Sequence, residues 1–265
     1  MSDTGNNQET ATQTTAHSID TATGQDAAAD ISSARVKKIF TDIAWKYERF
    51  NLCSSFGQYR SWLDKLIELA PITPESLMLD VAGGTGDVTF TACEKKAPGA
   101  VILSDYTPAM LEVAKARLDA GENHGVPVEL CVVDGQDIHC DDNQFDVITM
   151  SYGIRNMPKR EQALSEMYRV LKPGGALCVL EFSTPPNPLM KIGYDVYRKV
   201  GLPFWGKIIT GDASGFIYLG KSISAFPNQK DFAQMLTDAG FERVEWHNVT
   251  FGVAAIHIAY KGDTE

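Results

Sequence analysis

The chain has 265 residues, of which 44% are hydrophobic and 22% charged, and its formal net charge is −10. This composition is typical of a globular protein large enough to bury a core without disulfides, and the acidic balance disfavours a nucleic-acid partner. Anionic lipid head groups would repel the average surface, so any peripheral membrane contact is expected to be local and hydrophobic.

The five cysteines form no CxxC pair. This pattern is typical of reduced, buried thiols rather than of a disulfide framework or a zinc site. No apolar run reaches the ~18 residues that span a bilayer, and residues 1–30 lack the basic and apolar regions of a secretory signal. The sequence therefore predicts a cytoplasmic protein, either free or peripheral on the inner face of the cytoplasmic membrane.

The chain is predicted to begin with a disordered tail over residues 1–30, which holds five acidic residues and no Lys or Arg. Such a segment buries too little apolar surface to offset its chain entropy. One folded domain is expected over 31–265. Apolar residues at helical spacing predict N-terminal helices within 31–72, at about 32–50 and 59–70.

Strand-like and helix-like runs then alternate, which predicts parallel βαβ units. The predicted strands are 77–82, 101–105, 128–134, 145–151 and 176–182, with helices at 87–96, 108–120 and 159–171. Residues 185–227 interrupt the alternation with an aromatic, Gly- and Pro-rich segment, which is expected to form a lid or insertion. A helix at 229–239 precedes two strands, 243–249 and 253–260, whose short linker predicts an antiparallel hairpin.

A mostly parallel sheet with an antiparallel hairpin at its C-terminal end resembles the class I methyltransferase fold. That fold is an α/β, Rossmann-like architecture with seven strands. The resemblance implies a nucleoside-containing ligand at the C-terminal edge of the sheet, where open α/β sheets bind their ligands.

The strongest local motif is DVAGGTGD at 80–87, between a predicted strand and a predicted helix. Gly83, Gly84 and Gly86 let the backbone approach a ligand that a Cβ would block. A dinucleotide fingerprint, GxGxxG, begins at Gly84 but has Thr89 where the third glycine belongs. The form DxAGGTG resembles instead the first motif of S-adenosylmethionine enzymes. An NAD(P)-binding Rossmann oxidoreductase stays the alternative from another enzyme class.

Polar residues also end the next three predicted strands. Asp105 follows Gly83 by 22 residues, where a carboxylate accepts hydrogen bonds from both ribose hydroxyls of a nucleoside. Asp134 and Gly135 end the third strand, and Ser151 ends the fourth. For Asp105 and Ser151 the alternative is a local helix or turn cap.

Further segments are spread over the chain: AWKYERFN at 44–51, SSFGQYRSW at 54–62, SYGIRN at 151–156, RVLKPGG at 169–175, LEFS at 180–183 and NVTFGVAAIH at 248–257. With the glycine loop, they resemble the UbiE/MenG family of demethylmenaquinone and ubiquinone C-methyltransferases. The glycine loop and the KPGG turn are common among methyltransferases, whereas the other segments are more specific. Two residues depart from the family pattern: Tyr59 replaces a frequent His, and Glu48 replaces the usual Asp.

The resemblance implies an S-adenosylmethionine-dependent C-methyltransferase that converts demethylmenaquinol to menaquinol in menaquinone or ubiquinone biosynthesis. Its substrate is then a membrane-resident prenylated quinol. Thr85, Asp105, Asp134, Gly135 and Ser151 match the positions at which the family holds the donor. Asp134 is expected to meet the adenine amino group, with the nearby Asp137 as the alternative. A methyltransferase for another lipid or small molecule is the nearer alternative, and a homo-oligomer is left open.

Methylation at a ring carbon requires removal of a neighbouring hydroxyl proton and a group that stabilises the phenolate. We expect Arg155 to supply that positive charge, and Asn156 and Tyr47 to orient the hydroxyl or a water. The alternatives are a structural ion pair for Arg155 and core packing for Tyr47. His247 and His257 have a suitable pKa for a general base, although strand histidines are more often structural. No metal-ligand spacing is found, so no metal is expected.

The apolar segment 202–209 holds Phe204, Trp205 and Lys207 within the predicted insertion. Aromatic side chains with a flanking lysine suit a membrane interface. The segment is therefore predicted to form either a hydrophobic lid or a membrane contact.

Overall fold

The computed structural model describes residues 41, 51–52, 55, 57–210 and 214–263. The predicted tail over 1–30 and almost all of the predicted helix over 32–50 lie outside these residues. The predicted domain boundaries therefore stay predictions.

Seven strands of the described residues form one sheet in the order β3-β2-β1-β4-β5-β7-β6. They are β1 Leu77–Val81, β2 Ala100–Asp105, β3 Val128–Val132, β4 Phe145–Ser151, β5 Leu171–Phe182, β6 Arg243–Val249 and β7 Ala254–Tyr260. Strands β1 to β5 pair in parallel, and β7 runs antiparallel to both β5 and β6. The predicted architecture, a mostly parallel sheet with an antiparallel C-terminal hairpin, is confirmed.

Eight α-helices of the described residues flank or follow the strands. They are α1 Tyr59–Leu69, α2 Asp87–Lys96, α3 Pro108–Asp119, α4 Arg160–Val170, α5 Pro188–Val196, α6 Leu202–Thr210, α7 Ser214–Ala225 and α8 Gln229–Asp238. Their starts follow local chemistry, since Pro occupies the first position of α3 and α5. Asn228 caps α8 by accepting a hydrogen bond from the Asp231 amide at 3.0 Å.

The sheet has an apolar cluster on each face, because successive strand residues point to opposite sides. Met78 of β1 joins the cluster that contains Trp62 of α1, while the next residue, Leu79, joins the cluster of α4 and α8. The Trp62 indole also donates a hydrogen bond to the Thr250 hydroxyl at 2.9 Å. The central strands are thus covered on both faces, and their C-terminal ends are left to form a site.

The KPGG segment differs from its predicted structure. We predicted a turn at 173–175 followed by a strand from 176, but β5 runs continuously over Leu171–Phe182. The register against β4 shifts between the pairs Phe145–Leu171 and Val147–Ala176, and Gly174 has a φ of +74°. The glycine pair therefore forms a bulge within the strand, which the flexible backbone of glycine permits.

The predicted insertion over 185–227 contains α5, α6 and α7. A π-helical turn, Tyr197–Gly201, joins α5 to α6. No helix within the described part of the chain is both long and apolar enough to cross a membrane.

Candidate active site

The site lies at the C-terminal ends of β1 and β4, where the strand order of the sheet reverses. Chain connections leave this point in opposite directions, which opens a crevice. Ala82 follows β1 with a φ of +52°, and Tyr152 follows β4 with a φ of +56°. Both residues line one cleft. Left-handed backbone is uncommon at non-glycine residues and gathers at functional sites.

Six of the predicted site residues line this cleft: Gly84, Asp105, Asp134, Gly135, Ser151 and Asn156. The structure thus brings together residues from four strand ends and the turn after β4. Gly83, Thr85, Gly86 and Arg155 are not among its lining residues, and Tyr47 lies outside the described residues.

Asp105 is the acidic group at the end of β2. Its Oδ2 accepts a hydrogen bond from the Gly84 amide at 3.0 Å, and its Oδ1 accepts one from the Thr107 amide at 2.7 Å. The carboxylate is buried, and burial raises its pKa above the usual range of Asp. A carboxylate has about four acceptor positions, so the group can accept further hydrogen bonds beyond these backbone partners.

Asp80 organises the glycine loop from below, a role that the sequence analysis missed. Its carboxylate is fully buried and accepts hydrogen bonds from the Thr89 and Thr149 hydroxyls, both at 2.8 Å. Burial raises the pKa of Asp80 to about 6. A Cβ on Gly83 would lie 2.7 Å from Asp80 Oδ2, so only glycine fits above it. Thr89, which interrupts the dinucleotide fingerprint, is thus required by its bond to Asp80.

Thr85 faces a second, more polar groove on the other side of the loop. Its carbonyl accepts a hydrogen bond from Arg117 Nη1 at 2.9 Å, and the same guanidinium pairs with Asp87 at 2.6 Å. The Tyr59 hydroxyl also donates to Asp87. Tyr59, one of the two departures from the family pattern, therefore links α1 to the start of α2, next to the loop.

Asp134 and Gly135 form the wall of the cleft after β3. Asp134 Oδ1 accepts a hydrogen bond from the Gln136 amide at 2.9 Å. A Cβ on Gly135 would lie 2.7 Å from the Met157 Cε atom and 2.9 Å from the Val81 Cγ1 atom. Gln136 and Met157 also line the cleft; neither was predicted, since loop residues of these types carry no distinctive sequence pattern.

Arg155 lies in a buried ion pair beneath the cleft. Its Nη1 atom donates to Glu181 Oε1 and to the Tyr152 carbonyl, each at 2.7 Å. The side chains of Arg155 and Glu181 are only 4% and 1% exposed. Burial raises the pKa of Glu181, although the Arg155 charge opposes that shift. This geometry matches the structural ion pair that the sequence left open, and Glu181 was not predicted.

Asn156 connects the cleft to the insertion. Its Nδ2 donates to the Tyr152 carbonyl at 3.0 Å, and its Oδ1 accepts from the Tyr218 hydroxyl at 2.7 Å. Tyr218 lies on α7, and burial raises its pKa. The amide of Asn156 is thus held at both ends. No local pattern marks Tyr218 in the sequence, because its partner lies 62 residues away.

The two hairpin histidines lie away from the cleft. His257 is buried in β7, where its Nε2 donates to the Gln229 carbonyl at 2.9 Å, and burial lowers its pKa to about 4. Neither His257 nor His247 lines the cleft, so the geometry favours the structural role for both. Among the described residues, no group of three or more His, Cys, Asp and Glu side chains is arranged to hold a metal ion.

Comparisons with known proteins agree with this geometry. A model of the ubiE/COQ5 methyltransferase family matches residues 28–261. The ubiquinone/menaquinone biosynthesis C-methyltransferase UbiE of Francisella tularensis subsp. novicida (strain U112) is 44% identical over 230 residues, 86% of this chain and 91% of that protein. The same fold occurs in a SAM-dependent methyltransferase of Thermotoga maritima, with a TM-score of 0.60, 22% identity and coverage of 84% and 98% of the two chains. It also occurs in phosphoethanolamine N-methyltransferase 2 of Haemonchus contortus, solved in complex with S-adenosyl-L-methionine, with a TM-score of 0.60, 16% identity and coverage of 88% and 59%.

Proposed function

The chain belongs to the ubiE/COQ5 methyltransferase family, and we propose that it methylates a ring carbon of a membrane-resident prenylated quinol, converting demethylmenaquinol to menaquinol. It is an S-adenosylmethionine-dependent C-methyltransferase of menaquinone or ubiquinone biosynthesis, as its relatives are. The observation that carries the proposal is the cleft between β1 and β4, where Gly84, Asp105 and Asp134 meet. By the family resemblance, Asp105 and Asp134 match positions at which the family holds the methyl donor, and Gly84 belongs to the glycine loop.

The cleft residues fit S-adenosylmethionine. Asp105 has acceptor capacity beyond its backbone partners Gly84 and Thr107, which suits the hydroxyls of a ribose. Asp134, with its one backbone and one side-chain donor from Gln136, is placed to accept from the adenine amino group.

Bound there, S-adenosylmethionine supplies a methyl group on a positively charged sulfur, which a carbon nucleophile accepts. The residues of the chain then have to align the quinol ring, exclude water and stabilise the negative charge of its deprotonated hydroxyl. Arg155 stays the residue proposed for the last task, and its pair with Glu181 offsets the positive charge that would reach the cleft.

Asn156 is the residue best placed to orient the quinol hydroxyl. One N–H of its amide is used by the Tyr152 carbonyl, and one lone pair of its oxygen by Tyr218. One N–H and one lone pair remain, which suits a hydroxyl that both donates and accepts. Tyr47 belongs to the same proposal, on the basis of the family resemblance. We propose no role for a metal, and unchanged turnover in EDTA tests that part.

The proposed location of the protein in the cell follows from its proposed substrate. A prenyl tail is held in the bilayer, so the protein is proposed to work from the cytoplasm, in peripheral contact with the inner face of the membrane. Phe204 and Trp205, predicted to make that contact, are exposed, whereas Leu202 is buried. Homo-oligomerisation stays a prediction.

Calorimetry with S-adenosylmethionine and its demethylated product tests the donor site. A second assay follows transfer of a labelled methyl group to short-chain demethylmenaquinol and to the benzoquinol analogue. We expect binding of both nucleosides and turnover of the naphthoquinol. Turnover of the benzoquinol alone reverses the choice of ring, and failure to bind either nucleoside, with binding of NADH instead, overturns the proposal.

A further inference from the structure

Helices α5 and α6 carry large apolar side chains on the side that faces solvent. Of the thirteen large hydrophobic side chains that are exposed among the described residues, seven lie between positions 189 and 205. They are Leu189, Met190, Ile192, Val196, Val200, Phe204 and Trp205. We propose that this surface, the α5–α6 face, docks onto a bilayer that contains anionic lipid.

The spacing of these residues shows one continuous stripe. Leu189, Ile192, Val196, Val200 and Phe204 follow one another at intervals of three or four residues, and each is at least 59% exposed. Residues at this spacing share one face of a helix. A patch of this kind on a monomer marks a site of interaction.

The opposite side of the same helices is also apolar. Tyr194 and Leu202 are buried and belong to the core cluster that contains Trp62. A surface helix normally buries one apolar side and presents a polar side to water. Because α5 and α6 are apolar on both sides, their outer side requires a second apolar environment.

Charge identifies that environment. Residues 187–210 carry four basic residues and one acid, a net charge of +3, in a chain whose net charge is −10. Lys191, Lys199 and Lys207 are exposed, while Arg198 pairs with the single acid, Asp195. Apolar side chains bordered by lysines are typical of helices that lie in a membrane interface and attract anionic lipids.

The same charge argues against a second copy of the chain as the occupant. A two-fold dimer brings identical patches together, so it would place the three lysines of one α5–α6 face opposite those of its copy. A bilayer with anionic head groups instead attracts the three lysines, and its apolar interior can bury the apolar stripe.

One helix separates the α5–α6 face from the cleft. Arg198 of the π-helical turn donates a hydrogen bond to Ser224 of α7. From the same helix, Tyr218 donates to Asn156, which lines the cleft. Docking through this face would hold the cleft close to the membrane surface. The inference rests on the proposed function, because it is a prenylated substrate that has to be taken from the bilayer.

Vesicle flotation of the full chain tests whether the α5–α6 face binds a membrane. The vesicles contain phosphatidylcholine alone or phosphatidylcholine mixed with phosphatidylglycerol. An apolar variant combines Ile192→Ser, Val196→Ser and Val200→Ser, and a charge variant changes the three lysines to Glu. A control combines Val132→Ser and Lys230→Glu, which are exposed elsewhere. Since every altered side chain is exposed, unfolding temperatures should match the unaltered chain.

We expect the unaltered chain and the control to float with the anionic vesicles. The apolar variant should lose at least about tenfold in partition constant, and the charge variant should lose the preference for phosphatidylglycerol. Added salt should weaken binding of the unaltered chain. Equal flotation of all four proteins overturns the proposal. So does a change in oligomeric state of the apolar variant, measured by sedimentation velocity, with vesicle binding unchanged.

Turnover of a short-chain quinol without vesicles separates this inference from the proposed function. The apolar variant should keep that turnover and lose turnover of long-chain quinol in vesicles. If the chain turns over the short substrate but never floats with vesicles, the proposed membrane docking of the α5–α6 face is contradicted and the proposed function is not. A chain that binds neither nucleoside contradicts the proposed function, while flotation still decides the membrane contact.

Discussion

Replacement of Asp105 by Asn tests the donor site with a minimal change of shape. The carboxylate takes one backbone hydrogen bond on each oxygen, from Gly84 and from Thr107. An amide offers one oxygen only, so its NH2 group must face one of these two N–H groups. The substitution also removes the negative charge that strengthens hydrogen bonds from ribose hydroxyls.

The expected loss follows from that bonding. A hydrogen bond to a charged group is worth about 1.5–3 kcal/mol, against about 1 kcal/mol for a neutral one. Loss of charge assistance on two ribose hydroxyls, partly offset by removal of a buried charge, gives about 2 kcal/mol. This corresponds to a Kd about 30-fold higher for S-adenosylmethionine and for its demethylated product. Turnover at saturating donor should change much less, since ribose contacts are made equally in the ground and transition states.

Calorimetry measures the Kd, and thermal unfolding reports whether the variant is folded. Asp119→Asn is a matched control, because Asp119 is exposed and pairs with Lys115 on the surface of α3. A folded Asp105→Asn protein whose Kd for both nucleosides stays within about threefold of the original would refute the assignment of Asp105 to the ribose.

Three further predictions concern buried groups and the glycine loop. Burial lowers the pKa of His257 to about 4. Below pH 6.5 the unfolded chain therefore binds a proton at this histidine that the folded chain does not bind. Between pH 7 and pH 4 this removes up to about 3 kcal/mol of stability, and urea unfolding should show the advantage of the original chain over His257→Gln shrinking by that amount. Glu181→Gln leaves a buried arginine without its carboxylate and should cost about 3 kcal/mol in free energy of unfolding; an unchanged unfolding temperature contradicts this. Gly83→Ala places a Cβ 2.7 Å from an oxygen of Asp80 and should cost about 1–3 kcal/mol and weaken donor binding, whereas Gly193→Ala, with nothing within 4 Å of the new Cβ, should do neither.

Most of the fold follows from local patterns, because its strands are short apolar runs and its helices begin at recognisable residues. The predicted elements 87–96, 145–151 and 243–249 coincide with α2, β4 and β6. The KPGG segment was read as a turn, since Pro and Gly normally end strands. Pairing with β4 at Leu171 and again from Ala176 onwards instead keeps the strand continuous around a bulge.

The site was predictable where it lies at strand ends and less so where it depends on distant partners. Asp105 and Asp134 end consecutive strands of a parallel sheet, so they meet at one edge. Arg155 and Glu181 are 26 residues apart, and nothing in either segment indicates that their side chains pair. Asp80 stood within the strongest motif, but its part became visible only through the hydroxyls of Thr89 and Thr149.

The backbone at the site indicates which part of the molecule sets its geometry. Ala82 and Tyr152 both adopt left-handed backbone, at roughly 1–2 kcal/mol each for a residue with a Cβ. The two strand ends touch, since a Cβ on Gly153 would lie 2.8 Å from that of Ala82. Such strain persists only where surrounding structure imposes it, and here the surroundings are the paired strands β1 and β4. The proposed donor side of the cleft is therefore fixed by the sheet, whereas the insertion reaches the cleft through the bond between Tyr218 and Asn156. Changes at the contact between Tyr218 and Asn156 should accordingly alter the proposed handling of the quinol and leave the affinity for the methyl donor as it is.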